Sequence, residues 1–348
     1  MNSIALFLGL LIFSFILTSV AIIPFINTLY ALKFQRAKQD KTKDMFGKQT
    51  PIFNKFHQNK AGTPVGGGLL IIFVVALVFA TVLPVLRMLG VELTSVYKDY
   101  HAEVNVIFFT FLSFSVLGLY DDIKKFFGFK QTGFFGLRMR VKLLLQIALA
   151  VIIALMLYYN LGIAFLYIPF FGTFHLGWLF VPFAAFVIVA FANAVNITDG
   201  LDGLAGGILM ISLFGLWLLS ASILDVPLSV FLALWIGSLV SFLYFNIYPA
   251  RIMLGDVGAL SFGATLAVVG LLLGKVVALI IIGFIFVFEI STSFLQIISK
   301  KFYNRKIFPA APFHLSLQEY GWEEPKIVHR AWLVQIMLTL FGVWLAVI

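Results

Sequence analysis

Cysteine is absent from the 348 residues, which excludes disulfides and thiolate metal sites and leaves the redox compartment unread. Charge is scarce too: Asp, Glu, Lys and Arg make up 11% of the chain, against about 25% in soluble domains. With 62% hydrophobic residues and a mean hydropathy of +1.07, the composition excludes an ordinary soluble fold and belongs in a bilayer. No basic residue precedes the first apolar run, so the n-region of a cleaved signal peptide is missing. That run is expected to stay as a membrane anchor.

What is present is a series of apolar runs long enough to span, near 4–30, 67–86, 104–120, 141–158, 176–195, 204–224, 227–245, 259–273, 276–298 and 331–348. The expected fold is an all-α integral membrane protein with about ten transmembrane helices, forming a single polytopic domain over 1–348. The apolar stretch 161–177 is broken by Pro169, Gly172 and Gly177 and reads as an interfacial hairpin or loop. The many Phe and Trp residues read mostly as lipid-facing or interfacial.

All but three of the 24 Lys and Arg fall in the loops 31–65, 121–142, 246–258 and 299–330; the exceptions are Arg87, Lys98 and Lys275. The positive-inside rule places those loops in the cytoplasm and both termini outside. The net charge of +9 is therefore topological, with some attraction for anionic headgroups, and nucleic-acid binding has no support. Asp121, Asp122, Asp199, Asp202 and Asp256 all lie at the cytoplasmic ends of apolar runs, though they come from three separate loops. Convergence on one cleft explains why each interrupts a hydrophobic boundary. Glu92, Asp99, Glu103 and Asp225 read as external and solvated.

The richest polar stretch runs from Asn193 through Asn196, Thr198, Asp199, Gly200, Leu201, Asp202 and Gly203 to Gly206 and Gly207. Charged side chains at this depth are costly and normally face a cavity or one another. The glycines let backbone approach backbone or ligand closely. A polar loop between helices is the plain alternative, but five polar side chains in the ten residues 193–202 favour a site. Asp121-Asp122 followed by Lys124-Lys125 suits a magnesium site or a general base, and equally an N-cap. Asp256 between Gly255 and Gly258 reads as a ligand on a tight turn or as a turn residue before a helix. Lys60, before Gly62, Thr63, Pro64 and Gly66–Gly68, could hold a phosphate, although the spacing is not that of a P-loop; the alternative is a snorkelling lysine. His314, in the loop of Ala311, Pro312, Gly321 and Trp322, reads alone as a structural histidine. Carboxylates, a few lysines and a Gly-rich cleft at a membrane boundary suit metal-assisted transfer of a phosphate-bearing group to or from a lipid.

Taken together, Lys60 through Pro64, Asp121-Asp122, Lys142 with Gln146, Asn193 through Ala205, Asn246 with Tyr248-Pro249-Ala250 and Gly255 through Gly258, and Ala311 through His314 with Gly321-Trp322 resemble the polyprenyl-phosphate N-acetylhexosamine-1-phosphate transferases. Within that superfamily, glycosyltransferase family 4, the sequence looks most like the bacterial phospho-N-acetylmuramoyl-pentapeptide transferases. The pieces run in the family's order over nearly the whole chain, and 193–207 is the most specific. The resemblance implies ten transmembrane helices, outward termini, a homodimer and a Mg²⁺-dependent cytoplasmic site in the bacterial inner membrane. The implied reaction moves phospho-MurNAc-pentapeptide from UDP to undecaprenyl phosphate, giving lipid I and UMP in peptidoglycan synthesis.

By motif, the resemblance makes Asp256 the magnesium ligand, with Asp121 and Asp122 as further candidates that bind or deprotonate the lipid phosphate. Asn193, Asp199, Lys60, Thr63 and Lys142 are implied to line the phosphate region, with His314 among the catalytic side chains. Gly200, Leu201 and Asp202 are implied to form a uridine pocket, and Asn196, Met253 and Gln296 join the substrate contacts. The sequence is compatible both with direct attack by the lipid phosphate and with a covalent Asp intermediate. Two departures stand out: Leu315 and Ser316 follow His314 where the family usually has two more histidines, and Met253 replaces a Phe. The nearest rival reading is a sister enzyme that moves GlcNAc-1-phosphate from UDP-GlcNAc to the same lipid. A secondary transporter is the reading from another class, and the one-sided placement of the carboxylates counts against it.

Overall fold

A computed structural model gives the arrangement of residues 3–35, 60–127 and 137–348; the rest of the basic loops, His57 included, lies outside the described residues. The helices are α1 (Ser3–Ala31), α2 (Gly67–Met88), α3 (Tyr100–Phe127), α4 (Met139–Leu161), α5 (Phe180–Thr198), α6 (Leu204–Ser222) and α7 (Val226–Asn246). They continue as α8 (Gly255–Leu272), α9 (Val276–Ile282), α10 (Phe284–Tyr303), α11 (Phe313–Glu319) and α12 (Glu324–Val347). Between α4 and α5, β1 (Phe165–Ile168) and β2 (Gly172–His175) pair antiparallel, Phe165 opposite His175, so 161–177 is indeed a hairpin.

Among the described residues nine helices are long and apolar enough to cross a membrane, and ten if α9 and α10, which meet at an 82° bend, count as one broken span. The bend falls at Gly283, where a Cβ would lie 2.8 Å from the Phe191 ring, so only glycine lets this corner sit against α5. The ninth apolar run is thus one span by composition and two helices by geometry.

The most apolar parts of α7 and α8 are each 94% buried, against 22% in α1 and 28% in α12, so α7 and α8 form the centre. Phe79, Phe111, Phe231, Trp235 and Phe262 pack there as one aromatic cluster, with Trp235 touching Phe111, Phe231 and Phe262 at 5.2–5.6 Å. These rings are exceptions to the reading of aromatics as mostly lipid-facing or interfacial, which exposed rings such as Phe73, Phe186 and Phe294 follow: their planar surfaces fill the bundle interior. Without a hydrophobic drive between helices in lipid, close packing and polar contacts hold them together. Ser14 donates to the Leu234 carbonyl at 2.7 Å, Thr18 meets Ser238 at 2.7 Å, and Ser19 donates to Ser241 at 2.9 Å, riveting α1 to α7.

The C-terminal ends of α3, α5 and α7 meet the N-terminal ends of α4, α6, α8 and α12 at one end of the bundle. Local chemistry decides these ends. Glu323 and Pro325 open α12, proline being tolerated in a first turn. Gly203, at φ +79°, opens α6.

At the opposite end the expectation that Glu103 and Asp225 are solvated is wrong: they are 0% and 1% exposed, whereas Glu92 and Asp99 are exposed. Asp225 caps α7 through the Leu228 N–H at 3.2 Å, Ser95 donates to Glu103 at 2.7 Å, and Tyr97 donates to the Leu272 carbonyl at 2.5 Å. These contacts fold the 89–99 loop over both carboxyls and shut water out. Burial raises the Asp225 carboxyl above the usual range, and burial beside Glu103 and Asp225 raises the Tyr97 phenol. A carboxyl raised on folding stabilises the protein below its unfolded pKa, and that stability is lost as pH climbs through the folded value. Asp225→Asn keeps a good cap and removes the ionisation. Thermal unfolding from about pH 5 to about pH 9 should therefore fall less steeply in the variant than in the wild type. Parallel pH curves would show that Asp225 contributes no such dependence.

Candidate active site

The last turns of α3 carry Asp121, Asp122 and Lys125 on one face, because i, i+3 and i+4 positions are neighbours on a helix. The helix runs on to Phe127, so neither aspartate starts a helix of its own. Asp122 instead caps a different one: its Oδ2 accepts the Val257 N–H of α8 at 3.0 Å. A helix start leaves N–H groups without partners and favours negative charge, and a carboxylate from α3 supplies both needs. Gly255, at φ +80°, makes room for it; a Cβ there would lie 2.9 Å from Asp122 Oδ2.

Two ammonium groups stand between the carboxylates. Lys125 Nζ lies 2.7 Å from Asp256, 3.4 Å from Asp121 and 3.9 Å from Asp122. Lys142, from the first turn of α4, lies 2.9 Å from Asp121 and also pairs with Asp256. Asn196 of α5 donates to Asp256 Oδ1 at 3.1 Å, and the Leu137 N–H donates to Asp121 at 2.6 Å. Three carboxylates and two lysines leave one negative charge in excess. The Asp256 side chain is 13% exposed, against 3% and 2% for Asp121 and Asp122, so it is the carboxylate most open to a ligand.

A second cluster lies around the α5–α6 loop. Lys60 Nζ donates to the Gly200 carbonyl at 3.1 Å, to Asp202 at 2.8 Å and to Glu324 at 2.5 Å. An ammonium has three N–H donors, and all three are engaged. Asp202 is equally committed, accepting the Ala250 N–H at 2.9 Å with its other oxygen, and its own N–H donates to Glu324 at 2.5 Å. Lys60 therefore ties the chain before α2 to the α5–α6 loop and to the start of α12. With two carboxylates around it, the group carries a net negative charge, which does not favour phosphate at that point.

The remaining candidate residues divide. His314 is buried, and its Nε2 lies against Gly200, where a Cβ would come within 2.5 Å of it. Leu201 is buried beneath the same loop, Asp199 ends α5 half-buried, and Thr63 is half-buried one turn after Lys60. Asn193 donates to Gln146 and to the Val189 carbonyl, both at 2.8 Å, and so joins α5 to α4 rather than to the carboxylates. Met253 is buried, and its carbonyl holds the Gly66 and Gly67 N–H groups at 3.1 and 2.9 Å. Gln296 is engaged with the backbone of Ile307 and Phe308 at 2.9–3.1 Å and orders that loop. Leu315 packs 3% exposed, and Ser316 is hydrogen-bonded to the Ala310 backbone. The three positions that depart from the family pattern, Met253, Leu315 and Ser316, therefore all turn inward here.

Sequence reading missed three side chains. Lys125 had a signal, its helical spacing from Asp121 and Asp122. Glu324 had little, because its partner Lys60 is 264 residues away. Glu289, alone in an apolar run, is the kind of ionisable residue that the bilayer makes expensive and therefore informative.

The sequence profile of glycosyl transferase family 4 matches residues 104–274, which include Asp121, Asp122 and Asp256 of the first cluster and the 193–207 loop. The phospho-N-acetylmuramoyl-pentapeptide-transferase of Campylobacter curvus is 38% identical, covering 82% of this chain and 81% of that protein. Those of Caldanaerobacter subterraneus and Aquifex aeolicus are 36% and 37% identical, covering 92% and 95% of this chain and 93% and 89% of theirs. At this identity over nearly full length on both sides, the chain belongs to the phospho-N-acetylmuramoyl-pentapeptide-transferase family.

Proposed function

We propose that the protein transfers phospho-MurNAc-pentapeptide from its UDP carrier to undecaprenyl phosphate, releasing UMP and forming lipid I. The observation that carries the reading is the clamp of Lys125 and Lys142 among Asp121, Asp122 and Asp256 at one end of the bundle. An oxygen of the lipid phosphate forms a bond to the sugar-bearing phosphorus, and the bond from that phosphorus to UMP breaks. Little covalent work falls to the protein; positioning and charge stabilisation dominate such transfers. Lys125 and Lys142 supply ammonium groups for the charge on the transferring phosphoryl oxygens. Asp121 and Asp256 aim them, and Asn196 holds Asp256. The α5–α6 loop, tied by Lys60, Asp202 and Glu324, is the proposed seat of the uridine.

Magnesium is the proposed cofactor. Its donors would be Asp256 with Asp121 or Asp122: hard carboxylate oxygens that already gather around the positive charge of Lys125. Among the described residues no group of three His, Cys, Asp or Glu side chains closes a metal site. A magnesium ion held by one or two carboxylates takes its remaining ligands from water and substrate oxygens. When bound it would polarise the phosphoryl oxygens. The distribution of Lys and Arg supports a site facing the cytoplasm with the termini outside, and the bacterial inner membrane follows from the family reading. A homodimer belongs to the same reading.

The test is UMP release by purified protein with undecaprenyl phosphate, offering UDP-MurNAc-pentapeptide and UDP-GlcNAc in parallel, with and without EDTA. Release with the first sugar alone, lost in EDTA and restored by Mg²⁺, is expected. Release with UDP-GlcNAc alone would make this the sister enzyme, and no release with either would overturn the proposal.

A further inference from the structure

Glu289 is a buried carboxylate that the transfer chemistry does not use. It sits 4% exposed in α10, two turns beyond the Gly283 bend, and the bend carries it beneath the start of α11. Its contacts go to one residue. The His314 N–H reaches Oε1 at 3.2 Å and Oε2 at 3.4 Å, and His314 Nδ1 lies 3.1 Å from Oε2. A carboxylate only accepts, so this geometry requires the proton on Nδ1. Nε2 is then the ring's outward atom. It has no hydrogen-bond partner among the described residues and lies against Gly200, whose carbonyl holds Lys60. A buried carboxylate is costly without donors, and a single histidine meets that cost with both its backbone and its ring.

We propose that Glu289 is a positioning residue: it fixes the tautomer and the rotation of the His314 ring so that Nε2 faces the α5–α6 loop as an acceptor for the nucleotide-sugar. The inference rests on the reading of that loop as the nucleotide end of the site. Without Glu289 the ring is free to turn or to carry its proton on Nε2, and the acceptor is lost. The 82° bend is then what brings a carboxylate from the membrane-spanning run under a loop at the bundle's end. The orienting partner of a metal-bound histidine typically matters by about 10- to 100-fold in activity, and the same order is expected for a histidine that meets substrate.

The experiment compares wild type, Glu289→Gln, Glu289→Asp, His314→Ala and the Glu289→Gln/His314→Ala double variant. The readouts are UMP-release kinetics, the KM for each substrate, and the His314 tautomer from nitrogen-15 histidine NMR. Glu289→Gln should raise the KM for the UDP-sugar, lower kcat/KM by about 10- to 100-fold, and leave the KM for the lipid phosphate unchanged. Glu289→Asp should recover part of the loss. The double variant should be no worse than His314→Ala alone, because residues acting through one another are not additive. The share of the Nδ1–H tautomer should be highest in the wild type and lower in Glu289→Gln, whose neutral amide oxygen is a weaker acceptor and whose NH₂ offers Nδ1 a competing donor. Additive losses, equal rises in both KM values, or a tautomer indifferent to Glu289 would overturn the inference. Wild-type protein that turns over no UDP-sugar would defeat the proposed function, while the tautomer measurement would still decide the role of Glu289.

Discussion

Asp256→Asn should lower UMP release by about 10³-fold while the protein folds and purifies as the wild type does. The surroundings of the carboxylate set the size of the effect. Asp256 takes Lys125 at 2.7 Å, Lys142, and the Asn196 amide at 3.1 Å. An amide of the same shape keeps one acceptor and replaces the other with an NH₂ group that must face either an ammonium or another amide. The local charge balance moves from an excess negative charge to neutrality, and with it goes the most exposed carboxylate of the three. Removing one partner of a buried ion pair commonly destabilises, because the other charge is left alone. Here Lys125 and Lys142 each keep Asp121, so the loss in folding should be small beside the loss in rate. Initial rates and a thermal unfolding curve on the same preparation separate the two effects. Turnover near the wild-type rate would remove Asp256 from the mechanism, and a collapsed unfolding transition would make its role structural.

The distribution of these residues explains what was legible in the chain. Hydropathy located the nine span-length helices and the bent α9–α10 pair among the described residues, because a bilayer demands continuous apolar length and little else in the sequence mimics it. The boundary aspartates were legible for the same reason: a charge beside such a run has few tolerable places. What could not be read was pairing between distant segments. Asp122 does cap a helix, but it is α8, entered 135 residues later. Glu103 and Asp225 lie in separate loops with ordinary polar neighbours, and only the fold of 89–99 over them makes them buried. Gly283 is one glycine among many in apolar runs, and its 82° corner depends on the Phe191 ring packed against it. Lys60 reads as a phosphate-holding lysine beside glycines, whereas its three donors are filled by Gly200, Asp202 and Glu324.

Gly118→Ala should disable the enzyme as thoroughly as a change in a charged residue, although Gly118 bears no chemistry. On α3, three residues before Asp121, it is where α3 and α8 touch backbone to backbone. A Cβ there would lie 2.2 Å from the Asp256 carbonyl oxygen, 2.5 Å from its carbon and 2.7 Å from Val257 Cα. None of these atoms belongs to a flexible side chain, so the two helices must separate by about an ångström to reach ordinary van der Waals distance. Such overpacking costs about 1–3 kcal/mol in stability. The effect on the site is larger in proportion, because the Val257 N–H to Asp122 bond at 3.0 Å and the Lys125 to Asp256 contact at 2.7 Å both bridge this seam. A shift of that size takes a hydrogen bond out of range and misplaces every group that must act together on one phosphorus. The control is Gly9→Ala on α1, where a Cβ meets nothing within 4 Å and helix propensity alone predicts a gain of about 1 kcal/mol. UMP release should fall by about 10²-fold or more in Gly118→Ala and stay level in Gly9→Ala. An active Gly118→Ala protein would mean that the α3–α8 seam tolerates opening, and that the carboxylate–lysine clamp does not depend on the close approach of these two helices.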